Sequence, residues 1–164
     1  MATIKDGKII KDIDYTDDLG LMIQLGVVPN LNGAQNLAVV QGMYNSFANG
    51  DVSGVLESFT ADIEWNEAEN FPYADGNPYI GPDAVLKGVF TRIGSEWEFW
   101  KLNDIQLNVM ANNKILATGK YQAKNKKTKK EINAQFAHKW TLENGKAKKF
   151  QQYADTKQVA NAIK

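Results

Sequence analysis

The apolar residues of this chain change their spacing once, and that change divides it into a helical part and a strand part. From Asn36, the residues Leu37, Val40, Tyr44 and Phe47 recur at three- and four-residue steps. That spacing predicts one face of an amphipathic helix. Asn49 and Gly50 stop it, as glycine after a last turn does. Asp51 then caps a short second helix whose buried side is Val52, Val55, Leu56 and Phe59. Residues 63–65 begin a strand, and 67–78, rich in Asn, Pro and Gly, read as a loop. Gly81, Pro82 and Asp83 open a third helix, with proline at a first-turn position and an acid near the positive end of the dipole. Its apolar side is Leu86, Val89, Phe90, Ile93 and Trp97.

After residue 99 the spacing shortens to two. Four strands follow, over 99–110, 115–123, 131–143 and 146–154. Asn112 and Asn113 mark the first turn, and Asn144–Gly145 is a strong signal for a type I′ hairpin. Three helices followed by an antiparallel meander predict an α+β domain with the helices on one face of the sheet. Residues 1–35 lack this regularity and are punctuated by Pro29, Asn30, Asn32 and Gly33. They read as an N-terminal arm, packed on the domain or on a neighbouring subunit. The main domain is then 36–164. No fixed period repeats, which excludes a solenoid or propeller.

Several segments, in this order, resemble the SnoaL-like branch of the nuclear transport factor 2-like superfamily. They are residues 44–51 (YNSFANGD), 59–65 (FTADIEW), 78–85 (PYIGPDAV) with Val89 and Phe90, 137–146 (AHKWTLENGK) and 152–156 (QYADT). The resemblance covers roughly 36–156. It implies a cystatin-like cone, three helices on a curved, mainly antiparallel sheet, with an internal pocket between them. It also implies a homodimer, commonly formed through the sheet. The family includes polyketide cyclases, steroid isomerases, epoxide hydrolases, dehydratases and non-enzymatic binders, so the chemistry stays open.

Alternation along 131–143 puts Phe136, His138, Trp140 and Leu142 on the cavity side and Gln135, Ala137, Lys139 and Thr141 on the other. His138 is the one histidine of the chain. An imidazole among aromatics can serve as general acid or base, or donate to a substrate oxygen. It can equally be a satisfied structural group. Trp65 and Glu67 share a parity at the end of the first strand. In the steroid isomerases of the superfamily a carboxylate base stands about two residues beyond the Trp65 position, which the resemblance assigns to Glu67. A base there abstracts a proton beside a carbonyl while a donor holds the enolate oxygen, with His138 as the expected donor. Glu67 as a solvated loop acid is the competing reading. The same isomerases carry a tyrosine donor on helix one, and Tyr44 reads one position out of register. Asp155, closing the last strand, is a third catalytic candidate, able to pair with His138 or to cap the strand end. Trp65, Tyr73, Trp97, Tyr121, Phe136, Trp140 and Gln152 are the expected substrate-binding wall; core packing is the commoner fate of such aromatics.

Composition narrows the classes. At 43% hydrophobic and 23% charged over 164 residues, the chain suits one globular domain. It has no cysteine, which removes disulfides, thiol nucleophiles and cysteine metal sites. One histidine and no zinc or calcium spacing leave no expected metal. There is no phosphate loop or nucleophile elbow, so no cofactor is expected. No leader or membrane-length apolar run is visible, and a cytoplasmic location is expected. Net charge is zero, yet residues 12–86 contain no Lys or Arg and lysines dominate thereafter. The two halves are expected to neutralise each other. The lysine-rich run 124–130 lacks interleaved aromatics, so nucleic acid is not an expected partner. It reads as a solvated hairpin tip. The expected partner is a small apolar molecule. The weighing favours a cofactor-independent isomerase, cyclase or dehydratase type of enzyme over a non-catalytic binder or an association module.

Overall fold

A computed structural model describes residues 3–5, 8–11 and 31–164. The chain divides into two compact units, Met1–Leu31 and Asn32–Lys164. In the first, β1 (Thr3–Lys5) pairs antiparallel with β2 (Lys8–Lys11). Most of the expected arm, including 12–30, lies outside the described residues.

The second unit follows the predicted order. Helix α1 (Leu31–Ala48) starts five residues before the expected Asn36 and ends at the Asn49–Gly50 stop. Helix α2 (Val52–Glu57) is capped by Asp51, whose carboxylate accepts from the Gly54 N–H at 2.9 Å. Strand β3 (Phe59–Asn66) is longer than expected. The loop 67–78 contains a single 3₁₀ turn at Ala74–Gly76 and leads to the two-residue β4 (Tyr79–Ile80). Then come α3 (Pro82–Val85), a π-helical turn (Leu86–Phe90) and α4 (Thr91–Glu96), one helix with a widened middle. The long strands are β5 (Trp97–Met110), β6 (Lys114–Asn125), β7 (Glu131–Glu143) and β8 (Lys146–Ala154), within a few residues of the predicted limits. Helix α5 (Thr156–Ala162), not anticipated, closes the chain.

Six strands form one curved sheet in the order β4-β3-β8-β7-β6-β5. All neighbours are antiparallel except β3 and β8, which run parallel. The β7–β8 hairpin turns at Asn144 and Gly145, with φ of 50° and 76°. Both values lie in the left-handed region a type I′ turn requires. Burial along β7 alternates as predicted, with Phe136, His138, Trp140 and Leu142 inside. Helix α1 lays Val40, Met43 and Tyr44 against Trp140, Phe150 and Ile115 of the sheet. Around them, Trp65 stacks on Phe150 with ring centroids 3.7 Å apart. The acidic and basic halves do meet: Lys148 binds Asp62 at 2.5 Å and Lys149 binds Glu64 at 2.8 Å, across β3 and β8.

The π turn brings Gly88 against the face of Tyr79. A Cβ at Gly88 would stand 2.1 Å from Tyr79 Cε1. That ring cannot swing away freely, because its hydroxyl donates to the Tyr73 carbonyl at 2.7 Å and meets Asp75 at 3.0 Å. Gly88→Ala is therefore expected to lower stability by about 1–3 kcal/mol through overpacking. Urea unfolding of the variant checks this, and an unchanged midpoint would contradict the tight contact.

Candidate functional site

The concave face of β3, β8, β7, β6 and β5 and the inner sides of α1 and the Pro82–Glu96 helix enclose a mostly apolar cavity of about 60 Å³. That is room for several waters, at roughly 10–15 Å³ each. Phe47, Phe90, Ile93, Trp100 and Leu102 line it and are half-buried, while Trp65, Tyr121, Trp140 and Phe150 line it and are buried.

Two side chains inside are an acid and a base whose ordinary pKa values lie below neutral, and burial moves both. His138 is 4% exposed and Glu67 is 3% exposed, and both line the cavity. Strand β7 carries His138 inward by simple alternation. Its Nδ1 meets the Tyr44 hydroxyl at 2.8 Å, and its Nε2 meets the Tyr121 hydroxyl in a short contact. Phe136 stacks on the imidazole, with centroids 4.1 Å apart. Burial pulls the histidine down to about 3, since charge is disfavoured in an apolar surround. It is neutral at physiological pH.

Each tyrosine is itself held. The Trp140 indole N–H donates to Tyr44 at 3.0 Å. Gln152 Nε2 donates to Tyr121 at 2.9 Å, while Gln152 Oε1 accepts from the Ala68 N–H at 3.1 Å, fixing the amide's orientation. Burial pushes both phenols well up, and at Tyr121 the Glu67 charge adds to it.

Glu67 follows the last residue of β3. Its backbone is clamped by Asn77, whose Oδ1 accepts from the Glu67 N–H at 3.0 Å and whose Nδ2 donates to the Glu67 carbonyl at 2.7 Å. Its Oε1 accepts from the Trp65 indole at 2.7 Å. Among the described residues, Oε2 has no hydrogen-bond partner. Burial pushes the carboxyl up to about 7, against the smaller opposing effect of the Trp65 N–H.

The structure thus brings Glu67, His138, Trp65, Tyr121, Trp140 and Gln152 to one cavity. It does not bring Asp155 there. Asp155 sits on the opposite parity to Gln152 and Ala154 and caps α5, with its carboxylate accepting from the Gln158 N–H at 3.2 Å and Gln158 Nε2 at 2.8 Å. Tyr73 and Trp97 pack in an adjoining cluster, where Trp97 donates to the Tyr73 hydroxyl and Tyr73 to Glu96, each at 2.7 Å. A register shift between Trp97 and Phe99 delivers Trp100 to the cavity instead. Phe136 backs the imidazole from the adjoining cluster. Tyr44, expected one position out of register, points straight into the site. The lysine-rich tip is tied down by Lys129–Glu98 at 2.5 Å and Lys124–Glu131 at 3.5 Å. Among the described residues, no three His, Cys, Asp or Glu side chains gather to hold a metal, and no helix is long and apolar enough to cross a membrane.

The profile described as a SnoaL-like domain matches residues 40–150. The chain belongs to that family. Solved structures share its fold. A nuclear transport factor 2-like protein of Burkholderia thailandensis is 27% identical, with a TM-score of 0.70 over 79% of this chain and 97% of that one. A candidate polyketide cyclase of Xanthomonas campestris is 15% identical, with a TM-score of 0.71 over 81% and 99%. A candidate isomerase of Bacillus subtilis is 9% identical, with a TM-score of 0.70 over 82% and 96%. No curated protein matches the sequence at a significant level.

The Glu67 shift carries a stability consequence. Between pH 4.5 and about 7 the folded chain holds a proton at Glu67 that the unfolded chain has released, so this group's contribution falls as pH rises through that window. His138 acts oppositely between about 3 and 6.5, because there the unfolded chain binds the extra proton. Comparing Glu67→Gln with the parent cancels the histidine. The variant should gain on the parent by roughly 3 kcal/mol from pH 4.5 to 7. Urea unfolding at stepped pH measures it; a difference that stays constant would place Glu67 in water.

Proposed function

We propose that this SnoaL-like chain is an acid–base enzyme that moves a proton on a small, largely apolar carbonyl compound, in an isomerisation, cyclisation or dehydration. The observation that carries the reading is the unpartnered Oε2 of Glu67 in the same cavity as the His138–tyrosine network. A carboxylate with one free oxygen and a pKa near 7 is suited to take a proton from carbon at neutral pH. The names of two fold relatives, a candidate polyketide cyclase and a candidate isomerase, agree with that class of reaction.

In this reading Glu67 is the base and a phenol is the donor. The sequence favoured His138 as donor, but both of its nitrogens meet tyrosine hydroxyls. Tyr121 is the choice here, because it lines the cavity with Glu67 and feels its charge. As Glu67 removes the proton, electrons move onto the guest's carbonyl oxygen, and the Tyr121 hydroxyl donates to that oxygen. The aromatic walls exclude water, so the hydrogen bond strengthens as charge develops. The cavity of about 60 Å³ limits what enters without adjustment. A guest with several rings requires the half-buried Phe47, Phe90 and Trp100 to swing outward.

The test is hydrogen–deuterium exchange at carbon, followed by NMR across a panel of cyclic enones, aromatic 1,3-dicarbonyls and steroid enones. Exchange should rise with pH to a plateau above about 7, where Glu67 is ionised. Glu67→Gln should lower it by about 10²–10⁴-fold. Exchange that survives in the variant would remove Glu67 from the mechanism. Panel members that bind without exchange would favour the binder.

A further inference from the structure

The hydrogens around His138 do not divide evenly. Two links join the imidazole to its neighbours, one to Tyr44 and one to Tyr121. Each link uses one hydrogen. Three are present, because a neutral imidazole carries one and each phenol carries one. The outer partners absorb none of them. Trp140 can only donate, and the Ala68 N–H turns Gln152 so that its NH₂ faces Tyr121. Among the described residues neither hydroxyl meets another acceptor. One phenolic hydrogen is therefore always left over, and both tyrosines line the cavity.

We propose that Tyr44, His138 and Tyr121 form an uncharged proton relay in which the tautomer of His138 decides which tyrosine offers its hydrogen to the guest. With the hydrogen on Nδ1, His138 donates to Tyr44, Tyr121 donates to Nε2, and the Tyr44 hydrogen is spare. With the hydrogen on Nε2, Tyr44 donates to Nδ1 and the Tyr121 hydrogen is spare. The two states interconvert by passing one proton along the chain. In one concerted movement a guest's enol O–H gives its proton to the Tyr121 oxygen, Tyr121 gives its own to Nε2, the Nδ1 proton passes to Tyr44, and Tyr44 gives its spare proton to a second oxygen of the guest, both tyrosines lining the cavity. Within the chain two O–H bonds and one N–H bond break and the same number form, so it ends as neutral as it began. His138 touches the reaction only through the tyrosines and is a positioning and relay residue. Its use in turnover rests on the reading of Glu67 as base, while its existence does not.

Competition keeps the two states close. A phenol is the better donor and an imidazole nitrogen the better acceptor, so both tyrosines are driven to donate. The neutral ring has one lone pair and can satisfy only one of them. The second observation is the cavity itself, which lets the losing hydroxyl turn toward a guest.

A single histidine makes the test direct. Ring-¹⁵N histidine label in the full chain gives one Nδ1 and one Nε2 signal. In the parent protein from pH 5 to 8 both should fall between the protonated and the bare-nitrogen positions, or appear as two sets, as two populated neutral tautomers require. Tyr44→Phe leaves Tyr121 as the only donor and should shift the ratio about tenfold toward Nδ1–H; Tyr121→Phe should shift it about tenfold toward Nε2–H. Opposite shifts support the relay. Shifts in the same direction, or none, overturn it. So does an imidazolium in the parent at neutral pH, or one fully fixed parent tautomer, and those two readings stand even where a variant fails to fold. None of these results bears on Glu67, whose role is judged by carbon exchange alone.

Discussion

Burying an imidazole where, among the described residues, no carboxylate hydrogen-bonds it forces the ring to stay neutral, and the rest of the site is arranged around that constraint. A charged ring at His138 would lack a counter-ion and most of its hydration, which is why its pKa falls to about 3. Neutrality then demands a donor on one side and an acceptor on the other. Phenols supply either role by rotating one O–H bond, and the cavity uses two of them. Trp140 and Gln152 hold the phenols from behind, so the polar chain runs from α1 to β8 through an otherwise apolar interior. A polar network in such a place is tolerable only when nearly every member is satisfied.

The exception is Glu67. One of its oxygens is engaged by Trp65 and the other by nothing described. The fold commits several contacts to keeping it there. Asn77 grips the Glu67 backbone on both sides. The intervening loop is held by Arg92, which donates to the Pro72 carbonyl at 3.2 Å and to Asp75 at 2.6 Å and lies over the Tyr73 ring. A buried acid without a full set of partners costs stability, and rigid support of a destabilised group is the pattern of a working site rather than of a core.

Much of this was legible in the residues. Alternation along 131–143 placed His138 and Trp140 inward, because a half-buried strand has one choice of register. The Asn144–Gly145 turn and the Asp51 cap were readable, since each depends on local backbone chemistry. Glu67 was reached through its parity with Trp65 and through family resemblance. What escaped depends on non-local geometry. Trp100 enters the cavity because a register shift in β5 breaks the alternation. Phe150 is inward on β8, and its stacking on Trp65 follows from the parallel β3–β8 pairing, which no two-residue spacing announces. Asp155 was misplaced for the opposite reason. Its parity already pointed outward, but α5, which it caps, was not seen.

Tyr44 shows most clearly why the donor could not be assigned from sequence. Counting helix positions put it one step away from where an isomerase-like tyrosine belongs. A tyrosine reaches its partner through some 6 Å of side chain, however, so a rotation of one position along a helix (about 100°) can be recovered by ring placement. Its hydroxyl ends 2.8 Å from Nδ1, and Trp140 closes the far side. With both histidine nitrogens occupied, the proposed donor to a guest is a phenol, and the proposed part of the histidine is to decide which one. A histidine whose ring nitrogen faced the cavity directly could act as base or acid alone. Enclosed between two hydroxyls it does neither by itself, and the proposed base is Glu67, which lines the cavity and whose Oε2 has no hydrogen-bond partner among the described residues.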